Sequence, residues 1–261
     1  ILPLFIIYLF TKKRMKTLIL IPSRLSATRL PGKPLLKING LSVISHVVKK
    51  ANESQVGEVF VATEDQEILD DVKNNGGEAI LTSKNHKTGT DRIYEALIKL
   101  DKKDIDLVMN LQGDEPLINV DDIINLNNLM IKYKSKLGTL AANISNKDLI
   151  YNENVVKVKT KENLNTSKFP EAINFMRNSK DNNENIYHHL GVYCYEIETL
   201  KKFISFSQSE NEKKYKLEQL RALDNKIKIN VALAKSSPIG LDTEEDLIAI
   251  KKIMEYKSKW I

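Results

Sequence analysis

Thr17-Leu18-Ile19-Leu20-Ile21-Pro22-Ser23-Arg24 is the stretch from which the fold is read. From Thr17 to Ile21 the chain lacks the polar alternation of a half-exposed strand, as expected when both faces of a parallel sheet are covered. Pro22 and Arg24 then open a loop at the strand's carboxyl end. That is the edge at which doubly wound α/β sheets receive ligands.

Outward from that strand, β-rich runs alternate with amphipathic helices. A helix over 42–53 carries Val43, Val47 and Val48 on one face. A strand over 58–63 and a helix over 65–74 follow, with Ile68, Leu69 and Val72 inward and Gly76-Gly77 as the stop. Next come a strand over 78–82, a helix over 91–100 with Ile93, Ala96, Leu97 and Leu100 on one stripe, a strand over 106–111 and a helix over 121–133. Strands are expected again at 139–144, 155–160, 172–176 and 188–195, then a helix at 213–223, a strand at 227–233 and a closing helix at 243–260. This order predicts an α/β, Rossmann-like fold, a mostly parallel central sheet flanked by helices. Consecutive strands after Val155 predict a small antiparallel insertion over about 155–196, a subdomain or dimer arm, and the polar run 178–185 reads as an exposed loop.

A chain of 261 residues, 42% hydrophobic, can bury one sizeable core, so residues 15–261 are read as a single domain. Ile1 to Phe10 is a short apolar run followed by Lys12, Lys13 and Arg14. It is shorter than the roughly 20 residues of a membrane span, and its charge follows the apolar run, the reverse of a signal peptide. Met15 begins the first strand. Residues 1–14 are therefore expected to be a non-native or disordered extension, with a peripheral membrane anchor as the alternative and no stable membrane insertion. The net charge of +6 invites a nucleic-acid partner, but the lysines are dispersed among Asn and Glu without a dense basic block. Anionic small molecules fit that charge equally well. The single Cys194 cannot form an internal disulfide, which suits the cytoplasm, and its strand neighbours make it a small core residue.

Three segments carry chemistry. Pro22 to Pro34 places Arg24, Arg29 and Lys33 on a loop stiffened by prolines and relieved at Gly32, a set able to wrap a polyphosphate. A solvated basic loop explains it equally well, and Walker spacing is absent. Asn110 to Pro116 sets Asp114 just past a glycine at a strand end, where a carboxylate can reach magnesium. An ordinary acidic turn is the alternative. In Ile239 to Leu247, Thr243 and Asp246 form a helix-capping pair, which leaves Asp242 unexplained. A second carboxylate sharing one Mg2+ with Asp114 would explain it. On the strand around His189, alternation puts His189, Gly191 and Tyr193 on one face, without metal-ligand spacing.

Taken in order, Thr28-Arg29-Leu30-Pro31-Gly32-Lys33-Pro34, Gln112-Gly113-Asp114-Glu115-Pro116, His189-Leu190-Gly191-Val192-Tyr193, Glu218-Gln219-Leu220-Arg221 and Asp242-Thr243-Glu244-Glu245-Asp246-Leu247 resemble the 3-deoxy-D-manno-octulosonate (Kdo) cytidylyltransferases of lipopolysaccharide biosynthesis. The likeness runs from about Met15 to the last helix. It implies a nucleotidyltransferase fold, CTP and an acidic keto-sugar as substrates, Mg2+ as cofactor, a cytoplasmic homodimer and no nucleic-acid partner. The resemblance assigns Arg24, Arg29 and Lys33 to the triphosphate and Asp114 and Asp242 to the metal. Thr90, Asp91 and Arg92 of the Gly-Thr-acid-Arg helix start fall near the nucleotide base. Gln112, Arg177, His189, Tyr193, Glu218 and Gln219 fall on the sugar, with Arg177 facing its carboxylate. No general base stands out. Two positions depart from the family: Ala27 replaces a usual serine, with Ser26 adjacent, and Asn178-Ser179-Lys180-Asp181 replaces an Ile-Pro-x-x-Arg-like stretch, with Lys180 as a substitute charge. The second departure leaves an amino-modified Kdo or another keto-acid sugar as an alternative substrate, and a nucleotide-sensing relative as the non-enzymatic one.

Overall fold

The computed structural model describes residues 15–26, 29–144, 148–178 and 184–258, with residues 257 and 258 described by their backbone only. The expectations for 1–14, for Ala27 and for Lys180 lie outside the described residues.

The first strand, β1 (Thr17–Ser23), has Leu18, Ile19, Leu20 and Ile21 wholly buried. A single turn of 3-10 helix (Lys33–Leu35) and a hairpin of β2 (Lys37–Ile38) and β3 (Leu41–Ser42) lead into α1 (Val43–Glu53), capped by Ser42. Then follow β4 (Gly57–Thr63), α2 (Gln66–Asn74), β5 (Ala79–Leu81), α3 (Gly89–Leu100), β6 (Leu107–Asn110), α4 (Val120–Tyr133) and β7 (Leu137–Ala142). The second half holds α5 (Asp148–Tyr151), β8 (Lys157–Thr160), β9 (Ala172–Met176), β10 (Ile186–Glu196), α6 (Ile197–Ser205), α7 (Glu210–Tyr215), α8 (Leu220–Asp224), β11 (Asn230–Leu233) and α9 (Glu244–Ser258).

The main sheet runs β11-β7-β10-β6-β1-β4-β5. Strands β6, β1, β4 and β5 are mutually parallel, as are β7 and β11. The period of two in β1 sorts its side chains between two cores. Ile19 and Ile21 pack with Val47, Ile68 and Leu126 of α1, α2 and α4, and Leu18 and Leu20 pack with Ile93, Leu97, Leu200 and Phe203 of α3 and α6. Each such aliphatic side chain contributes about 1.5–3 kcal/mol by leaving water. The uninterrupted apolar run thus becomes the shared spine of both layers.

The antiparallel strands differ in placement from a self-contained arm. β8 pairs with β9 and with the first residues of β10, but β10 then continues between β6 and β7, antiparallel to both. Its register shifts between Leu190 and Tyr193. Cys194 lies there, fully buried. At the start of β8, the fully buried Lys157 donates to the carbonyls of Asn152, Val155 and Arg177 at 2.6–2.9 Å.

The helix expected at 213–223 is two helices. Lys216 adopts φ 53°, a left-handed conformation that ends α7, and α8 starts only at Leu220. Glu218 and Gln219 therefore sit in the connecting turn rather than on a helix. The break lets Glu218 face α3, where its Oε2 accepts from Thr90 at 3.0 Å. The helix α6 carries no expectation from the sequence reading. Among the described residues no helix is long and apolar enough to cross a membrane.

Candidate active site

The carboxyl ends of β1 and β6 open onto a cleft of about 310 Å³. Its walls are the β1 loop (Pro22 to Arg24, Arg29 to Pro34), the approach to α3 (His86 to Gly89, Arg92), Gln112 to Asp114 beyond β6, and Asp242 before α9. Gly113 leaves little room to spare: a Cβ there would stand 3.1 Å from the Pro22 carbonyl and from Ile44.

Asp114, near the middle of the sequence, and Asp242, near its end, meet at one ammonium. Lys33 Nζ lies 2.5 Å from Asp114 Oδ2 and 3.2 Å from Asp242 Oδ1, and it donates to the Leu241 carbonyl at 2.8 Å. Backbone bonds hold this meeting: the Leu241 amide donates to the Asp114 carbonyl at 2.9 Å. The capping pair read from the sequence is present too. Asp246 accepts from the amides of Asp242 and Thr243, and Thr243 Oγ1 accepts from the Asp246 amide. Arg29 adds a second cation, 2.9 Å from Asp242 Oδ2. Burial works to lower the Lys33 pKa, but Asp114 and then Asp242 outweigh it and raise it, so the side chain is firmly charged. Arg24 is exposed and makes no ion pair among the described residues.

Arg92 also lines the cleft, but its guanidinium is engaged: it pairs with Glu64 and donates to Thr82 Oγ1 at 2.7 Å. Thr90 turns to Glu218, and the Asp91 amide completes the Thr88 cap of α3.

Of the expected sugar-side residues, Gln112 lines the cleft, and Arg177, His189, Tyr193, Glu218 and Gln219 lie outside its lining. Gln112 Nε2 donates to the Gly191 carbonyl at 3.0 Å, and a Cβ on Gly191 would stand 3.2 Å from the Gln112 side chain. His189 is buried beside Phe175 and Tyr193, with ring centroids 5.0 and 5.5 Å away. Thr139 Oγ1 donates to the Val192 carbonyl at 2.7 Å, so the 3.0 Å contact with His189 Nε2 is a donation from the imidazole. Burial, then the nearby Tyr195 and Glu218, push the Tyr193 phenol well above its usual range, and burial also raises Glu218. Gln219 is buried in the turn between α7 and α8. Arg177 stands apart: its guanidinium donates to the carbonyls of Glu153, Tyr215 and Lys216 at 3.0–3.5 Å, outside the cleft lining.

Burial and then His188 lower the His189 pKa from 6.5 to about 3. The unfolded chain therefore takes up a proton near pH 6.5 that the folded chain refuses, and stability falls as pH drops from 6.5 toward 3. At pH 5 this group's share of the loss is about 2 kcal/mol. His189→Gln is expected to flatten the fall in Tm between pH 7 and pH 5, measured by thermal melts. An acid slope equal to the parent's would contradict the buried neutral ring.

The sequence reading missed three groups here. Ser23 Oγ is buried in the cleft wall without a partner among the described residues. Glu115 has a buried Oε2 that is likewise unpartnered among them, and burial together with Asp114 and Asp242 pushes its carboxyl up to about 8. His86 enters the cleft from the segment ahead of α3. Only the strand-end position of Ser23 and Glu115, within motifs already singled out, could have flagged them.

The fold, with a cleft at its carboxyl edge, is one that nucleotidyltransferases share, and its relatives place the chain in that class. UDP-glucose pyrophosphorylase shares the fold at a TM-score of 0.67 over 94% of this chain and 100% of its own, with 13% identity. The cytidylyltransferase family profile matches residues 18–229. A 3-deoxy-manno-octulosonate cytidylyltransferase of Thermodesulfovibrio yellowstonii is 42% identical over 252 residues, covering 92% of this chain and 98% of its own. That of Rhodopseudomonas palustris is 40% identical over 243 residues, with the same two coverages, 92% and 98%. A solved CMP:2-keto-3-deoxy-manno-octonic acid synthetase complexed with CTP superposes at a TM-score of 0.84 with 32% identity, covering 93% of this chain and 99% of that one. The chain belongs to the 3-deoxy-manno-octulosonate cytidylyltransferase family.

Proposed function

We propose that this chain activates Kdo with CTP, giving CMP-Kdo and pyrophosphate. The observation that carries the reading is the convergence of Asp114 and Asp242 on the Lys33 ammonium inside the cationic loop. A point already holding one cation between two carboxylates suits a divalent ion. Among the described residues no larger cluster of metal-ligating side chains exists, so phosphate oxygens and water would complete the shell, the donor set magnesium prefers. Asp114 and Asp242 would hold Mg2+, which when bound supplies Lewis-acid stabilisation of charge on the phosphoryl oxygens.

In the reaction the anomeric hydroxyl oxygen bonds to the α-phosphorus and gives up its proton to solvent, while the α–β anhydride bond breaks and pyrophosphate leaves with the bonding pair. Lys33, Arg29 and Arg24 neutralise the triphosphate, which favours the departing charge over bulk water. Gln112, His189, Tyr193, Glu218 and Gln219 orient the sugar along the wall beyond Gly191. Arg177 would have to leave its carbonyl partners to reach the sugar carboxylate. Thr90, Asp91 and Arg92 act on the nucleotide through the shape of the α3 entrance. The same reading includes work in the cytoplasm for lipopolysaccharide assembly, as a single domain over 15–261. It also includes a homodimer, for which the half-exposed Ile173 on β9 offers apolar surface.

Pyrophosphate release from CTP, with and without Kdo, tests the proposal, with an amino-modified Kdo beside it to read the Asn178–Asp181 departure. Release that depends on Kdo is expected. Tight CTP binding without release from any keto-acid sugar would leave a nucleotide sensor instead.

A further inference from the structure

Residues 82–88 run to the side of the cleft away from Asp114, and His86, Lys87 and Thr88 line it there. Asp114 follows β6 and this segment follows β5, three strand spacings of about 4.8 Å along the sheet. With the triphosphate drawn to Lys33, the nucleoside end of CTP extends toward 82–88.

Two side chains of α3 pin this segment. Arg92 holds Thr82 Oγ1 at 2.7 Å and the Ser83 carbonyl at 3.4 Å while pairing with Glu64. Glu95 accepts from the Ser83 amide at 2.9 Å, pairs with Lys99 at 2.7 Å, and receives His86 Nε2. Burial opposes the Glu95 charge, but Lys99, the Ser83 amide and His86 outweigh it and bring the carboxyl down to about 2. An ionised carboxylate only accepts, so the proton of this contact sits on Nε2, which in the neutral ring leaves Nδ1 as the acceptor. His86 lines the cleft, and its Nδ1 has no partner among the described residues.

We propose that His86 reads the nucleobase, its Nδ1 accepting a hydrogen bond from the exocyclic amino group of cytosine. Uracil carries a carbonyl at that place, and two acceptors face to face repel, so the device selects cytidine over uridine nucleotides. Glu95 is the positioning residue: it fixes the tautomer and the ring. The inference rests on the CTP-dependent reading above.

Calorimetric titration of the full chain with CTP and with UTP, magnesium present, tests it, alongside pyrophosphate release with Kdo. His86→Phe keeps a flat ring and removes the acceptor. It is expected to weaken CTP binding about tenfold, the worth of one well-placed hydrogen bond, with UTP binding unchanged or tighter because the repulsion is gone. Glu95→Gln replaces an obligate acceptor by an amide that can donate, which lets the imidazole move its proton to Nδ1. The CTP preference then falls at least about threefold, again without a matching change for UTP. This second variant decides the matter if thermal melting finds His86→Phe unfolded. Equal losses for both nucleotides, an unchanged preference in both variants, or a parent protein that binds the two alike would each overturn the proposal. A parent that prefers CTP but releases no pyrophosphate with Kdo sinks the functional reading alone.

Discussion

Asp114→Ala and Asp242→Ala each lower kcat for pyrophosphate release by about 10²–10³-fold, the loss that follows removal of one preorganised electrostatic group. The two carboxylates share a single ammonium at 2.5 and 3.2 Å, and each would supply half of the protein's hold on the divalent ion. Because they act as a unit, the double variant should fall little below the worse single one. Both side chains are partly exposed, at 31% and 42%, so neither substitution should cost much stability. A collapse in kcat with an almost unchanged Tm separates lost chemistry from lost structure. Asp114→Ala has a second readout. Asp114 is the leading group that offsets the burial of Lys33 and keeps its pKa high. Without it the amine is expected to react faster with acylating reagents at mildly alkaline pH. Turnover within about threefold of the parent in either single variant would end the assignment.

Arg221→Ala is expected to cost about 3–5 kcal/mol of folding free energy, because it strands a buried charge. Arg221 forks onto Glu212, Nε to Oε2 at 2.7 Å and Nη2 to Oε1 at 2.5 Å, with both side chains 4% exposed. Its guanidinium also lies 4.7 Å from the Phe203 ring centre, so one side chain joins α6, α7 and α8. Burial disfavours the Glu212 charge, and Arg221 leads the groups that overcome it and lower its pKa. The turn between α7 and α8 carries Glu218 and Gln219. The variant should therefore raise KM for Kdo more than KM for CTP at temperatures where it stays folded. Replacing the pair together, Arg221→Met with Glu212→Leu, should recover much of the stability, since no charge is left buried alone. Denaturant melts give the first result and steady-state kinetics the second. A loss below about 1 kcal/mol in the single variant would contradict it.

The sequence disclosed the parallel half of the molecule almost element by element, because Leu18 to Ile21 and the helix stripes of α1 to α4 repeat with the periods their surroundings demand. It disclosed less where long-range packing decides. Nothing local in His188 to Tyr195 says that the strand slots between two parallel neighbours. The apolar spacing of 213–223 hid the left-handed Lys216, whose turn is stabilised by distant partners such as Thr90. For the site, Lys33, Asp114 and Asp242 were legible as motifs, and so was the pairing of the two carboxylates, while the Lys33 ammonium between them was not. Glu115 was lost in the acidity of Asp114 beside it. Arg92 and Arg177, placed in the site by the resemblance, are engaged by Glu64 and by a set of carbonyls, long-range partners that no local pattern announces.

The place of β10 in the sheet also sets the order in which the molecule can assemble. During synthesis β6-β1-β4-β5 and its helices emerge first and are built from near-neighbour contacts. β7 follows, yet no hydrogen bond joins it to β6, because the seat between them belongs to a strand that ends at Glu196. The sheet stays in two halves until that late segment arrives, and closing a loop of this length is what slows a folding reaction. An unclosed edge of β6 on a half-made chain is a natural docking point for chaperones and for other nascent copies.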